Sequence, residues 1–288
     1  MDAQLDIVLT QLSRVLDQVE ALLETPAAST EALDAGWAFT WTRGAFRPVR
    51  HVDTITLAEL RGIDHQLGLL LRNTRQFLRG APANHVLLWG ERGTGKSSAV
   101  KALLSEFGDD GLRLVQVQRR DLLDLPEIID ALWERPEKYI LFCDDLSFDS
   151  SDEEYKELKA LLEGGLHAKP PNVLVYATSN RRHLMHERLS DRQTQGSGDD
   201  VHPMDARSEQ LSLADRFGLR IGFYPVDQEN FLEIVRTLVQ TRGLTVDPDL
   251  LERDALRWAL SRNGRSGRSA RQFVDDLQGR LLMEDAVR

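Results

Sequence analysis

The sequence has a single cysteine, Cys143, in 288 residues. No intrachain disulfide can form, and a zinc cluster built on several cysteines is excluded. The expected home is a reducing compartment, the cytoplasm. No window approaches eighteen consecutive apolar residues, so no membrane span is expected. The first twenty residues, MDAQLDIVLTQLSRVLDQVE, lack the basic start and unbroken apolar stretch of a signal peptide. Positive charge is in deficit: 36 Lys and Arg against 46 Asp and Glu leave a net charge of −10. That mean charge gives no attraction to nucleic acid or to an anionic membrane, although a local basic patch still can. No internal repeat is visible.

What is present is an ordinary globular composition, with 41% hydrophobic and 28% charged residues. The length suits one large domain with an appendage or two modest domains, and a sizeable core can be buried. The apolar content excludes disorder along the whole chain.

Three zones follow one another. Residues 1–50 read as a helical N-terminal extension. Leu5, Val8, Leu12, Val15, Val19 and Leu22 form one apolar stripe, which either docks on the same chain or meets a partner helix. The Pro26 region breaks this helix. Trp37, Phe39, Trp41 and Phe46 then alternate with Arg43, Arg47 and Arg50. Such a strip either pins the segment onto a core or stacks on single-stranded nucleic acid, and packing is the favoured reading.

Residues 51–225 alternate between helix and strand. Helical runs are expected at 57–78, 97–107, 121–134 and 153–163. Strands are expected at 85–89, 112–117, 139–143, 172–177 and 220–224. Apolar strands alternating with helices predict an α/β fold with a parallel sheet flanked by helices. Residues 189–210 are polar and read as a surface loop. Residues 226–288 carry helical patterns and no strand, which predicts a small helical lid.

The central motif is Gly90-Glu91-Arg92-Gly93-Thr94-Gly95-Lys96-Ser97, followed by Ser98. It fits the phosphate-binding loop pattern G-x-x-x-x-G-K-[ST], and it has the required setting between a strand and a helix. The glycines let successive backbone N–H groups converge on a phosphate, and the helix dipole adds to them. Lys96 supplies a cation for the β- and γ-phosphates, and the Ser97 hydroxyl is a ligand for Mg²⁺. The strand 139–143 ends in Asp144-Asp145. Strand tips are where open α/β sheets bind ligands. Asp144 is placed to steady Mg²⁺, and Asp145 to orient an attacking water. ATP and Mg²⁺ are the expected ligands.

At these residues the chain resembles the AAA+ ATPases. The order of motifs continues to match. Thr178-Ser179-Asn180 resembles sensor 1, with Asn180 reaching toward the γ-phosphate. Leu213 to Gly218 resembles the segment bearing an arginine finger, which implies that Arg216 acts on the nucleotide of a neighbouring subunit in a homo-oligomer. Ser266 to Arg271 resembles sensor 2, with Arg271 the nucleotide-facing arginine and Arg268 the fallback. Gly62-Ile63-Asp64 resembles the segment lining the adenine pocket, which makes Ile63 a nucleotide contact. The strings GERGTGKSS, DDLSF, ATSNRRHL, LSLADRFGL and RSGRSARQF together look like a bacterial AAA+ group of uncharacterised function, over roughly residues 55 to 285. The resemblance implies the fold and ATP binding and names no substrate or protein partner.

One departure stands out. Most AAA+ ATPases carry Asp-Glu where this chain has Asp144-Asp145. A carboxylate one methylene shorter is pulled back by about 1.5 Å, and a misplacement on that scale can cost ~10²-fold in rate. Slow hydrolysis is therefore expected, coupled to assembly or to partner remodelling. The alternative is an ATP-gated binding or loading switch with negligible hydrolysis. A small-molecule kinase lacks a legible acceptor pocket, and a nucleic-acid remodeller rests only on the arginine–aromatic strip. Arg181 and Arg182 either touch a partner subunit or do nothing in particular. His183 and His186 have no third ligand and read as surface or packing histidines. Cys143 reads as a small buried hydrophobe.

Overall fold

The computed structural model describes residues 30–146, 153–163, 170–180, 213–262 and 264–286. The expected N-terminal helix, Arg181, Arg182, His183, His186 and the loop 189–210 lie outside the described residues.

Seven strands make one sheet: β1 (Ala38–Thr42), β2 (Ala45–Pro48), β3 (Val86–Gly90), β4 (Leu112–Gln116), β5 (Lys138–Cys143), β6 (Val173–Ser179) and β7 (Leu219–Phe223). Their order is β2-β1-β4-β5-β6-β3-β7. All neighbours are parallel except the β1–β2 hairpin. The helices are α1 (Asp64–Leu78), α2 (Lys96–Phe107), α3 (Leu125–Leu132), α4 (Glu153–Glu163), α5 (Gln228–Thr241), α6 (Pro248–Ser261) and α7 (Gly267–Ala286).

The sheet is buried on both faces because its strands are apolar at both parities. Leu87, Val115, Leu141 and Val175 point to one side, where Leu125, Ile128 and Leu132 of α3 and Leu158 of α4 cover them. Val86, Leu88, Leu114, Ile140 and Leu174 point to the other, where Leu67, Leu70 and Phe77 of α1 and Val100 and Leu103 of α2 cover them. A strand with period-2 burial on one face alone would have left one of these helical layers without a partner. The helices α5–α7 bury a third, separate core around Phe231, Val235, Ala255 and Phe273. Asp227 and Asp247 cap α5 and α6 by accepting from Asn230 N and Leu250 N.

Two sequence expectations are refined. The helical run 57–78 is a 3-10 turn at Leu57–Glu59 followed by α1, with Gly62 at φ 75 breaking the two apart. Likewise 121–134 divides into a 3-10 turn, Arg119–Asp124, and α3, which starts with Pro126 in its first turn. The aromatic strip forms β1 and β2, so the sheet extends across residue 50. Trp41 is fully buried, meets Phe46 edge-on at 4.8 Å and donates from Nε1 to Asp124 Oδ2 at 2.7 Å. Packing is the role of these rings; only Trp37 is substantially exposed. No helix among the described residues is long and apolar enough to cross a membrane.

Candidate functional site

The strand order places β3 between β6 and β7, with β5 next to β6. The C-terminal tips of β3, β5 and β6 therefore lie side by side, each followed by a motif singled out in the sequence. Parallel registry aligns them: Leu88 pairs with Thr178, and Cys143 with Ala177.

The loop from Gly90 to Gly95 joins β3 to α2. Gly90 has φ 137, and a Cβ there would lie 1.9 Å from the Phe223 carbonyl oxygen. Gly93 and Gly95 also have positive φ, at 81 and 100. These values explain why glycine occupies the two fixed positions of the pattern, 90 and 95, and position 93 as well. Thr94 ties the loop to itself by donating to the Glu91 carbonyl at 2.8 Å. Lys96 opens α2 and folds back over the loop. Its Nζ donates to Gly90 O at 2.7 Å, Glu91 O at 2.6 Å and Asn180 Oδ1 at 3.3 Å. Burial pushes its pKa below the usual 10.5, and the Arg268 and Arg92 cations push the same way, against the opposing pull of Asp145 and Asp144.

The two acids at the tip of β5 are held differently. Asp144 Oδ1 accepts from Ser97 Oγ at 2.6 Å and from Thr178 Oγ1 at 2.6 Å. Asp145 adopts φ 55, a left-handed conformation that aspartate tolerates better than most side chains. Its N–H donates to Thr178 Oγ1 at 2.8 Å. Its carboxylate accepts from Asn180 Nδ2 and lies 3.4 Å from Arg92 Nη2.

The loop and these acids form the floor of a cavity of about 510 Å³. That is a ligand-sized volume. Ile63, Ser97, Ser98 and Asn180 line it from the sheet side, and Arg268 and Arg271 from the start of α7. Leu60, Val226, Ile234 and Leu238 give it an apolar wall. Helix α7 touches the loop directly, for Gly267 N donates to Gly93 O at 3.1 Å. Arg271 Nη2 lies 3.9 Å from Glu59 Oε2.

Of the residues anticipated from sequence, the structure therefore gathers Ile63, residues 92–98, Asp144, Asp145, Asn180, Arg268 and Arg271 around one cavity, whereas Gly90 and Glu91 are not in its lining and accept from Lys96 Nζ. Arg216 is exposed on the short helical turn 213–216 and is not part of the cavity lining. Its neighbour Asp215 pairs with Arg220. Two participants escaped the sequence reading. Thr178 was one polar letter within the sensor-like string, and only the pairing of β5 with β6 brings it onto both acids. Glu59 carried a signal, the capping box Thr56-x-x-Glu59, which the structure forms. Reading 57–78 as one helix hid it.

The fold is that of the AAA+ proteins. A mutant of RuvB from Thermotoga maritima superposes with a TM-score of 0.55 at 16% sequence identity, covering 80% of this chain and 67% of that one. The FIGL-1 AAA domain in complex with ADP superposes with a TM-score of 0.50 at 20% identity, covering 77% of this chain and 72% of that one. No curated protein matches the sequence. The family model described as "Protein of unknown function (DUF815)" matches residues 34–281, and the chain belongs to that family.

Proposed function

We propose that the protein binds Mg-ATP in the cavity between the α/β core (51–225) and the helical lid (226–288), and hydrolyses it slowly. The observation that carries this reading is the meeting of the loop 90–97, Asp144 and the arginines of α7 around one ligand-sized space. The loop amides and the start of α2 suit a polyphosphate. The apolar wall suits a flat base, and ADP is the ligand of the FIGL-1 neighbour.

Lys96 is held ready by two loop carbonyls and exchanges them for phosphate oxygens. Ser97 Oγ and Asp144 Oδ1, at 2.6 Å, are two hard oxygen donors from different elements, the donor chemistry that Mg²⁺ takes. The residues fit the ion. When bound it neutralises charge on the phosphates. Asp145 and Asn180 are the groups nearest the phosphate end that can orient a water. Arg271 and Arg268 reach from the lid, so closure follows the ligand. Arg216 lies outside the cavity, so it acts, in this reading, on the nucleotide of a second copy within a homo-oligomer.

Calorimetry with ATP and Mg²⁺ tests binding directly. A saturable one-site heat is expected for the protein and none for Lys96→Ala. Absence of heat with the unaltered protein would overturn the proposal. The second reading, an ATP-gated switch with negligible hydrolysis, is favoured by one observation: both Arg92 and Asn180 hold the Asp145 carboxylate. Tight ATP binding with no phosphate release would select it.

A further inference from the structure

In the Asp121–Asp124 cluster, Trp41 donates to Asp124 and Arg120 pairs with Asp121 Oδ1, while Asp121 Oδ2 is buried without a hydrogen-bond partner and nothing beside it identifies a ligand. Leu260, Leu282 and Met283 of the lid are exposed, but nothing among the described residues identifies what would cover them. The tip of β6 carries more.

We infer that Thr178 is a positioning residue for the metal-binding and water-orienting acids: one hydroxyl sets Asp144 and Asp145 together. This rests on the Mg-ATP reading above. Thr178 is 2% exposed, so its hydroxyl has no solvent alternative. A hydroxyl has one proton to donate and two lone pairs. The proton goes to Asp144 Oδ1 at 2.6 Å, and a lone pair takes Asp145 N–H at 2.8 Å. The backbone of the same residue adds a third link, for Leu146 N donates to Thr178 O at 2.7 Å. Three consecutive residues after β5 are therefore registered on a single residue of β6.

Each link has a consequence. The bond to Asp144 fixes the carboxylate oxygen that also accepts from Ser97, which settles the orientation in which that oxygen is offered to a cation. Partners behind a metal-binding carboxylate matter in this way because they set ligand orientation and basicity. The bond from Asp145 holds a non-glycine residue at φ 55, where the chain would otherwise relax. That conformation turns the Asp145 carboxylate toward Asn180 and Arg92. The hydroxyl thus couples the metal side of the site to its water side, and neither acid can shift without moving the donor or acceptor of the other.

The test compares Thr178→Val, which keeps the shape and deletes the hydroxyl, with Thr178→Ser, which keeps the hydroxyl. Two quantities are read on the full chain: the Mg²⁺ concentration giving half-maximal ATP turnover or Mn²⁺ binding followed by electron paramagnetic resonance, and ATP affinity in EDTA. For Thr178→Val the metal half-saturation should rise about 10–100-fold. ATP affinity in EDTA should stay within about twofold, because Thr178 does not hold the loop 90–97. Thr178→Ser should restore metal affinity to within about threefold of the unaltered protein. An unchanged metal response in Thr178→Val overturns the inference, as does an equal loss of ATP affinity in EDTA. If Thr178→Val does not fold by circular dichroism, Thr178→Ala replaces it. Failure of both to fold would assign the hydroxyl to stability and also overturn the inference. Should the unaltered protein bind no ATP, it is the Mg-ATP reading that fails, and Mn²⁺ binding to the free chain still judges Thr178.

Discussion

Arg92 Nη2 stands 3.4 Å from Asp145 Oδ2, so a residue of the glycine loop itself reaches across to the second acid of β5. Asn180 holds the other oxygen of the same carboxylate. The pair is exposed, and its net contribution to stability is small. On the proposed Mg-ATP reading its consequence is kinetic: a water would have to displace Arg92 before Asp145 could orient it. Arg92→Ala should raise ATP turnover by about two- to tenfold, and Asp145→Asn should abolish it, with ATP affinity kept in both. Steady-state phosphate release together with calorimetry measures this. Turnover in Arg92→Ala below that of the unaltered protein would show that the arginine assists the reaction instead.

The left-handed backbone at Asp145 also bears on the departure from Asp-Glu. Aspartate is enriched at such positions because its short side chain bonds locally, which glutamate does less well. Asp145→Glu therefore brings a longer carboxylate at the cost of backbone comfort. The expected result is a lower melting temperature without a matching gain in turnover. A faster and equally stable Asp145→Glu protein would remove the backbone explanation.

Lys96 gives a pH dependence whose sign can be worked out. Burial lowers its pKa from 10.5, so the folded chain gives up this proton more readily than the unfolded chain does. Between the lowered value and 10.5 the unfolded state binds more protons, and this group's contribution to stability rises with pH. ATP binding runs the other way, since phosphate favours the ammonium. ATP affinity in EDTA should fall as pH climbs through the lowered pKa, before an ordinary lysine would titrate. Lys96→Met should lose ATP binding while its melting temperature stays at or above that of the unaltered protein. A pH-independent affinity up to 10.5 contradicts the prediction.

Much of this was legible in the sequence, and the reasons are local. Loop 90–97 is defined by spacing, and the glycines it fixes are those whose positive φ the structure requires. The strands β3 to β6 were visible as short apolar runs because both their faces are largely buried; β7, at the sheet edge, buries only Ile221 and Phe223. β1 and β2 were not read as strands, although Trp37, Phe39 and Trp41 alternate and Arg43-Gly44 supplies a turn. The strip is expected to pack onto a core, as Trp41 and Phe46 do, but its arginines and its place before the alternating zone hide that it packs as two strands. Thr178 depends on a contact between segments distant in sequence, and no local pattern records which strand lies beside which; Glu59 is marked locally by its capping box, but its approach to Arg271 is not.

Cys143 provides a check on the central strand. It is fully buried at the end of β5, and burial, with Asp144 adding to it, pushes the thiol up to about 12. The thiolate is the reactive form, so a buried thiol with a raised pKa is inert. An aromatic disulfide reagent at pH 8 should leave the native protein unlabelled and label one thiol per chain after denaturation. Rapid labelling of the native protein would place Cys143 at an accessible edge and contradict the strand order.

Arg216 yields the last expectation. It is exposed on the turn 213–216, away from the cavity its own chain forms, while Asp215 beside it is paired with Arg220. A guanidinium supplied by a second copy stabilises charge developing on the transferred phosphoryl group, an effect that can reach ~10³-fold or more. Turnover per chain should then rise with protein concentration through the assembly range, and Arg216→Ala should remain at the dilute-limit rate throughout. ATP affinity of isolated chains should be unaffected by the substitution, because Arg216 is not part of its own chain's cavity lining. Mixing Arg216→Ala with Lys96→Ala gives the decisive readout: each variant lacks what the other retains, so mixed assemblies should recover part of the activity that neither shows alone. No recovery on mixing, with both variants folded and co-assembled, would place Arg216 outside the reaction.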